Sequence, residues 1–202
     1  MAKILLQFAH PLLEKSRVQK LMLKQARLIP GITINDLYEQ YPDFDIDIKR
    51  EQRLLLDHDI IIFQHPFYWY STPAIIKQWL DLVLEHGWAY GGKGDKLKGK
   101  MMMQAISGGG SEQAYQPEGR NRFTIRQMLA PMDQTANLCK MEYLPPFVVY
   151  GTHKLQEADI EQYALEYGQV LSALKADRID AAEWKSIQII NELCPIPESF
   201  KS

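Results

Sequence analysis

The chain has 202 residues, of which 46% are hydrophobic and 24% are charged, and these values are typical of one soluble globular domain. The net charge is −2, so the composition does not favour nucleic-acid binding, which requires a basic surface. No apolar run is long enough to span a bilayer. The two distant cysteines, Cys139 and Cys194, predict neither a disulfide framework nor a metal site. A single domain over residues 1–202, located in the cytoplasm, is therefore expected.

Short apolar runs predict five β-strands, at 3–9, 32–37, 59–64, 100–107 and 146–151. Amphipathic segments predict helices at 16–29, 49–58, 73–86, 123–139 with an interruption at Pro131, 157–175, and a further short helix within 180–194. Strands that alternate with helices predict a parallel sheet with helices on both faces. The best prediction is an α/β fold of the flavodoxin-like type, a three-layer sandwich whose five-stranded parallel sheet has the order 2-1-3-4-5. Its core is expected over about 3–176, with 177–202 as a C-terminal extension.

Three loops at the carboxyl ends of the predicted strands carry unusual residues. Ligands of such sheets bind outside the carboxyl ends of the strands, beside the point where the strand order reverses. This rule selects the loops 10–16, 65–72 and 107–115, which follow the first, third and fourth strands. The three loops are therefore expected to form one site.

The loop after the first strand is suited to binding a phosphate. His10 follows the strand, and Ser16 and Arg17 stand at the predicted start of a helix, whose free N–H groups and positive dipole end attract anions. The alternative is that Ser16 only caps the helix and that His10 is only a turn residue before Pro11. This loop alone leaves both interpretations open.

The loop after the third strand contains the sequence "QHPFYWYSTP" (64–73), although connections are normally polar and exposed. Its aromatic residues are Phe67, Tyr68, Trp69 and Tyr70. Such a loop contacts a flat ligand, forms a dimer interface or packs into a small core of its own, and the sequence is compatible with more than one of these roles.

The loop after the fourth strand begins with "SGGG" (107–110). Glycines permit positive φ and let the backbone approach a ligand closely, although a mobile surface turn has the same composition. A phosphate site, aromatic rings and a glycine turn at one edge of a sheet fit a flat heteroaromatic ring with a phosphate tail. The three loops together therefore suggest flavin mononucleotide (FMN).

Six segments make the chain similar to a known family. They are "AHP" (9–11) with Ser16, "YPDFDIDIKREQ" (41–52), "QHPFYWYSTPAIIKQWLD" (64–81), "HGWAYG" (86–91), "SGGG" (107–110) and "LPPF" (144–147). In their order and spacing the chain resembles the flavodoxin-like NAD(P)H:quinone oxidoreductases. It is most similar to the KefF-type ancillary oxidoreductases of bacterial glutathione-regulated potassium efflux.

The resemblance implies a cytoplasmic homodimer with one flavin per subunit. FMN is the expected flavin, and FAD is the second choice. The positions that match the family's flavin contacts are His10, Ser16, Arg17, Val18 and Gln19 at the phosphate, Phe67, Tyr68, Trp69 and Tyr70 beside the ring, and Ser107, Gly108, Gly109 and Gly110 at its pyrimidine edge. Tyr115 matches the active-site tyrosine, which also contacts the flavin. Two positions depart from the family: Gln19 replaces an Asn, and Asn121 stands where larger members have a His, which argues against a Tyr/His relay.

The resemblance also implies ping-pong transfer of two electrons from NADPH or NADH, through the flavin, to a quinone. Tyr115 is then a hydrogen-bond donor or only a pocket wall. The implied partner is a potassium–proton antiporter, which would hold the protein at the cytoplasmic side of the inner membrane. The alternatives are a flavodoxin-like electron carrier, a flavin-binding regulatory module without significant turnover, and a reductase of azo or nitro compounds.

Overall fold

The computed structural model of the chain describes residues 1–178 and 184–194. Within them a parallel sheet contains the strands β1 (Ile4–Phe8), β2 (Ile32–Asp36), β3 (Ile60–Pro66), β4 (Met101–Ser107), β5 (Glu142–Tyr143) and β6 (Phe147–Val149). The order is β2-β1-β3-β4-β5, and β6 also pairs with β4. All of these pairs are parallel. The predicted flavodoxin-like strand order is therefore confirmed.

The fifth position of the sheet differs from the prediction of one strand over 146–151. Two short strands share it, β5 beside the start of β4 and β6 beside its end. Pro145 and Pro146 lie between them, and a proline has no N–H to donate to a strand ladder. The strand is split for this reason, although the Leu144 N–H still donates to the Met102 carbonyl over 2.8 Å.

The helices whose bounds lie within the described residues are α1 (Arg17–Arg27), α2 (Leu37–Gln40), α3 (Ile48–Asp57), α4 (Ala74–Val83), α5 (Ile125–Met128), α6 (Ala130–Leu138) and α7 (Glu157–Lys175). Short 3-10 turns occupy Leu13–Lys15, Glu112–Tyr115 and Ile190–Leu193. Within these residues, no helix combines the length and the apolar character that crossing a membrane requires.

Two helical segments depart from the predicted pattern. The helix predicted over 123–139 is broken at Leu129, and Pro131 opens α6 instead of interrupting it, because a first-turn residue needs no intrahelical N–H bond. The helix α2 is absent from the prediction. It forms where the Asp36 carboxylate accepts hydrogen bonds from the N–H groups of Tyr38 and Glu39, which caps the helix.

The central strands are buried on both faces. Leu5 and Phe63 belong to the apolar layer that also contains Trp79 of α4, whereas Leu6 and Ile62 belong to the layer that packs against α1 and α7. This two-sided burial explains why β1 and β3 are continuous apolar runs in the sequence.

The described part of the C-terminal segment packs against the sheet. The side chain of Asn191 accepts a hydrogen bond from the Val148 N–H (2.8 Å) and donates one to the Val148 carbonyl (3.1 Å). Ile190 is buried beside Phe147 in the apolar layer of α7. Of the helix predicted within 180–194, residues 184–194 are described, and they do not form one continuous helix: 184–185 are helical, 186–189 form turns, bends or irregular structure, and a 3-10 turn follows at Ile190–Leu193. Residues 179–183 and 195–202 lie outside the described residues.

Candidate functional site

A cleft of about 700 Å³ lies where β1, β3, β4 and β6 end. Its lining residues are His10, Leu12, Lys15, Ser16, Arg17, Val18, Pro66, Phe67, Tyr68, Trp69, Ser107, Gly109, Thr152 and His153. The three predicted loops therefore meet in one space, joined by the segment after β6. The predicted site residues that do not line the cleft are Gln19, Tyr70, Gly108, Gly110 and Tyr115.

The first turn of α1 forms one end of the cleft. Ser16 is the N-cap of this helix, and its Oγ accepts a hydrogen bond from the Gln19 N–H over 3.1 Å. The side chain of Ser16 therefore does act as a cap. The other first-turn N–H groups have no partner within the helix, and Lys15 and Arg17 line the cleft beside them. This end is suited to an anion such as a phosphate.

His10 lies close to this end, with one ring nitrogen engaged. Its Nδ1 accepts a hydrogen bond from the Leu12 N–H over 3.1 Å. Burial lowers the pKa of His10, against the opposing effect of the Glu14 carboxylate, so the imidazole is neutral near neutral pH. Because Nδ1 is an acceptor, the neutral ring carries its proton on Nε2. His10 therefore offers the cleft an N–H donor.

The side chain of Gln19 is buried and connects the ends of two strands. Its Nε2 donates to the His65 carbonyl (3.0 Å) and to the Ser107 Oγ (2.9 Å), and its Oε1 accepts from the Gln64 Nε2 (2.9 Å). These bonds join the start of α1 to the ends of β3 and β4. The position marked as a departure from the family is thus a structural link under the cleft, and its side chain does not line it.

Residues 68–71, called here the aromatic turn, have an unusual backbone. Trp69 and Tyr70 have φ values of 50° and 63°, and the Ser71 N–H donates to the Tyr68 carbonyl over 3.0 Å. Positive φ at both central residues is characteristic of a type I′ turn, which normally has Asn or Gly there. Non-glycine residues in this region store strain of about 1–3 kcal/mol each. Such strain is concentrated at functional sites, which is consistent with the place of this turn at the cleft.

The four aromatic side chains of this loop have different surroundings. Phe67 is buried, with its N–H donating to a carbonyl of the adjacent strand. Tyr68 and Trp69 line the cleft, and Trp69 is 93% exposed. Tyr70 lies outside the cleft, where its hydroxyl donates to the Asn121 side chain over 3.4 Å. Three of the four predicted aromatic residues, Phe67, Tyr68 and Trp69, therefore line the cleft, and Tyr70 does not.

Residues 107–110, called here the glycine turn, lie between two rings. A Cβ added to Gly109 would be 2.7 Å from His153 Nε2, and one added to Gly110 would be 2.8 Å from Tyr115 Cε2. None of the three glycines has a φ in the left-handed region, so here the missing Cβ provides room for close approach and not an unusual backbone. His153 lines the cleft, whereas Tyr115 does not.

Tyr115 borders a different pocket, of about 210 Å³. Its ring contacts Phe67 and Tyr150, with centroid distances of 6.1 and 5.8 Å. Burial raises the pKa of Tyr115, so the hydroxyl stays protonated and remains a donor. Its position gives no support to direct contact with a ligand in the cleft, and indicates that it supports the glycine turn.

Thr152 and His153 are cleft residues that the three loops chosen from the sequence do not include. The Thr152 N–H donates to the Gly108 carbonyl (3.2 Å), and the Gly151 N–H donates to the Gly110 carbonyl (2.8 Å). These bonds fix the segment after β6 beside the glycine turn. The rule that selects loops at carboxyl strand ends applies to this segment as well, because Thr152 and His153 directly follow the fifth strand predicted over 146–151.

The cleft therefore has a cationic end, aromatic side chains and a backbone turn. β3 separates β1 from β4, so the ends of these two strands lie about 10 Å apart, which is two strand spacings. This arrangement fits an elongated ligand whose anionic group binds at α1 and whose flat part reaches the glycine turn.

Comparison with known sequences identifies relatives along most of the chain. A family model described as the flavodoxin-like fold matches residues 2–171. The glutathione-regulated potassium-efflux system ancillary protein KefG of Pectobacterium carotovorum subsp. carotovorum (strain PC1) is 43% identical over 171 residues, which are 85% of this chain and 93% of that protein. The resemblance seen in the sequence is thus matched by a relative from the same efflux system.

Two solved structures share the fold over most of the chain. General stress protein 14 of Treponema denticola, solved in complex with FMN, is 37% identical with a TM-score of 0.81, and the match covers 85% of this chain and 99% of that one. An NADPH-quinone reductase from P. pentosaceus is 32% identical with a TM-score of 0.76, and the match covers 83% and 96% of the two chains.

Proposed function

Given that the chain belongs to the family of proteins with the flavodoxin-like fold, we propose that it is an FMN-dependent NAD(P)H:quinone oxidoreductase. The observation that carries the proposal is the cleft, in which two cationic side chains at a helix N-terminus share one space with exposed aromatic rings and a glycine turn. Two similar proteins agree with it, since one was solved with FMN and the other is named an NADPH-quinone reductase.

The α1 end of the cleft is where the FMN phosphate would bind. Lys15 and Arg17 would pair with its charge, and the N–H groups of Arg17 and Val18 would donate to its oxygens. The His10 Nε2–H is a further donor in the same cleft. Ser16 contributes by holding the helix start, because its side chain is already engaged in the cap.

The ring of FMN would lie between the aromatic turn and the glycine turn. Tyr68 and Trp69 offer ring faces, and covering the exposed Trp69 removes a large apolar surface from water. The hydrogen-bonded type I′ turn already fixes this backbone, so little ordering is needed on binding. Ser107 and Gly109 border the cleft where the ring edge would lie.

FMN, when bound, supplies a two-electron centre that takes a hydride from NAD(P)H and gives it to a quinone. The chain supplies binding, orientation and hydrogen-bond donors. Because both substrates must reach the same ring through one cleft, we infer that they occupy it in turn, which is a ping-pong order. Tyr115 would act indirectly, since its ring supports the glycine turn from outside the cleft.

The proposal extends to partners. The similarity to KefG supports association with the cytoplasmic face of a potassium–proton antiporter, and hence a peripheral location at the inner membrane. A homodimer is also proposed, because Trp69 is 93% exposed and Tyr70 and Phe123 are each 53% exposed, so a second subunit has aromatic surface to cover. The KefG similarity also favours a second candidate function, a flavin-binding regulatory module without significant turnover.

The first experiment is the absorption spectrum of the purified protein, with chromatography of the released cofactor. Bound FMN and steady NADPH or NADH oxidation with a soluble quinone would support the enzyme. Bound FMN without turnover would favour the regulatory module. A protein that neither contains flavin nor binds added FMN would overturn both.

A matched pair of variants tests the position of the phosphate. Arg17→Ala removes a cleft cation and is expected to weaken FMN binding about tenfold or more, the cost of a lost charge-assisted hydrogen bond. Arg27→Ala removes the same charge from the last turn of α1, outside the cleft, and should leave FMN affinity unchanged. Equal effects of the two variants would contradict the assignment of the phosphate to the N-terminal end.

A further inference from the structure

His153 is a cleft residue to which the proposed function assigns no role. Its imidazole packs directly on the glycine turn, with Nε2 and Cδ2 lying 2.7 and 2.8 Å from the place that a Cβ on Gly109 would take. The side chain is exposed, so it is accessible to a ligand in the cleft. A polar ring held on the backbone of a proposed binding turn is a candidate ligand contact.

The backbone around His153 is fixed in place by hydrogen bonds. The Thr152 and Gly151 N–H groups donate to carbonyls of the glycine turn over 3.2 and 2.8 Å. Gly151 has a φ of 64°, and the Lys154 N–H donates back to the Gly151 carbonyl over 2.8 Å. His153 is therefore carried by a tight turn whose position follows that of the glycine turn.

The imidazole lies beside an unused backbone donor. The Gly108 N–H donates to the Val149 carbonyl over 2.9 Å, so it is not available. The Gly109 N–H makes no hydrogen bond with any residue in the part of the chain that the structure describes. An imidazole has at least one N–H in either neutral tautomer. Gly109 and His153 therefore bring two donors to the same part of the cleft.

The chemistry of a flavin ring decides which of its edges fits these donors. The pyrimidine edge carries nitrogen and oxygen acceptors, whereas the dimethylbenzene edge carries none. Taking up a hydride, which is two electrons and one proton, adds one negative charge to the ring, and this charge is held mainly at the pyrimidine edge. An N–H donor beside that edge binds the reduced ring more tightly than the oxidised ring.

We propose that His153, together with the Gly109 amide, binds the pyrimidine edge of the flavin and raises the two-electron reduction potential of the bound cofactor. This inference rests on the proposed function, because it presupposes that FMN occupies the cleft. His153 acts by direct contact with the cofactor. It supplies a side-chain hydrogen-bond donor beside the glycine turn, whereas Tyr115 does not line the cleft.

The test is the reduction potential of FMN-loaded protein, measured by equilibration with a reference dye. His153→Ala should weaken binding of reduced FMN about tenfold more than binding of oxidised FMN, which is the size expected for one lost hydrogen bond to a charge at an exposed site. A tenfold selective loss lowers the potential by about 30 mV. His153→Gln keeps an N–H donor and should restore most of the difference.

Two further variants separate contact from general effects. Lys154→Gln changes the neighbouring side chain, which does not line the cleft, and should leave the potential unchanged. Gly109→Ala places a Cβ where the His153 ring lies, so it should lower the potential while His153 is still present. In the double variant the two effects should not add, because both remove one contact.

The outcomes distinguish this inference from the proposed function. If wild-type protein fails to bind FMN, the proposed function itself fails. If His153→Ala binds FMN and keeps the wild-type potential, the role of His153 is overturned while the oxidoreductase function stands. A fall in potential that Lys154→Gln shares equally would also overturn it, because the cause would then be general charge and not the contact.

Discussion

The aromatic turn and the glycine turn border the same cleft and are built in opposite ways. The aromatic turn places large side chains on a backbone that favours glycine, and it leaves Trp69 93% exposed. The glycine turn has no side chains at three positions, an ordinary backbone and rings packed on both sides. The first is strained and offers ring faces, whereas the second is tightly packed and offers backbone groups. A flat ligand with a polar edge needs one wall of each kind.

The largest difference is expected between two tyrosine rings, one that packs on the glycine turn and one that belongs to the aromatic turn. Tyr115 is 6% exposed, so Tyr115→Ala should lower the free energy of unfolding by about 3–5 kcal/mol, as for other buried aromatic residues. Tyr70→Ala removes a ring that is 53% exposed and should change it by less than about 0.5 kcal/mol. Urea unfolding measures both, and similar losses would show that the two turns do not differ in packing.

A smaller effect is expected from adding one methyl group to the glycine turn. In Gly110→Ala the new Cβ would lie 2.8 Å from the Tyr115 ring, and overpacking of this kind costs about 1–3 kcal/mol. Gly92→Ala is the matched control, because nothing lies within 4 Å of its Cβ position. The control should be neutral or slightly more stable in thermal unfolding. A Gly110→Ala protein as stable as this control would contradict the close packing.

The aromatic turn should respond in the opposite direction. Replacing Trp69 by Asn and Tyr70 by Gly installs residues that favour a type I′ turn, and relief of strain should raise the free energy of unfolding by about 1–2 kcal/mol. The same variant should bind FMN more weakly, because a ring face is lost. Phe123→Asn is the control, because Phe123 is an exposed aromatic residue without a positive φ. This variant should not be more stable than the wild-type protein. A less stable double variant would mean that the turn is not strained.

The smallest effect concerns the dependence of stability on pH at His10, whose ring contacts Tyr68 of the aromatic turn at 6.1 Å. Burial lowers the pKa of His10 from 6.5, so as the pH falls below 6.5 the unfolded chain takes up this proton first and stability decreases. A His10→Gln protein should therefore lose less stability on going from about pH 7 to about pH 5. If the stability of the two proteins depends on pH in the same way, the lowered pKa of His10 is refuted.

The fold was predictable because its signals are long and local. Continuous apolar runs identify β1 and β3, which are buried on both faces. Strands that alternate with helices predict a parallel sheet, and the right-handed connections of such a sheet limit the strand order to very few possibilities. The split of the fifth strand was less accessible. Pro145 and Pro146 predict an interruption of the strand. Whether the chain pairs with β4 on both sides of the prolines depends on contacts with β4, which a sequence pattern does not contain.

The site was predictable as a set of loops and much less so as a set of side-chain directions. The position of a loop at a strand end follows from the topology, which is why residues 10–16, 65–72 and 107–115 meet. Whether Tyr68 or Tyr70 turns toward the cleft depends on two positive φ values that the composition of the turn does not suggest. The approach of His153 to Gly109 depends on hydrogen bonds between distant segments, so only the structure reveals it.

The contact between Asn191 and Val148 has a consequence for self-association. A sheet normally ends in a row of unpaired peptide groups that can recruit another chain. An amide side chain presents a donor and an acceptor much as a peptide group does, so Asn191 occupies the place that a seventh strand would take beside β6. This residue lies beyond 2–171, the part that matches the family. The extension thus protects an edge that the matched part alone would leave open to aggregation.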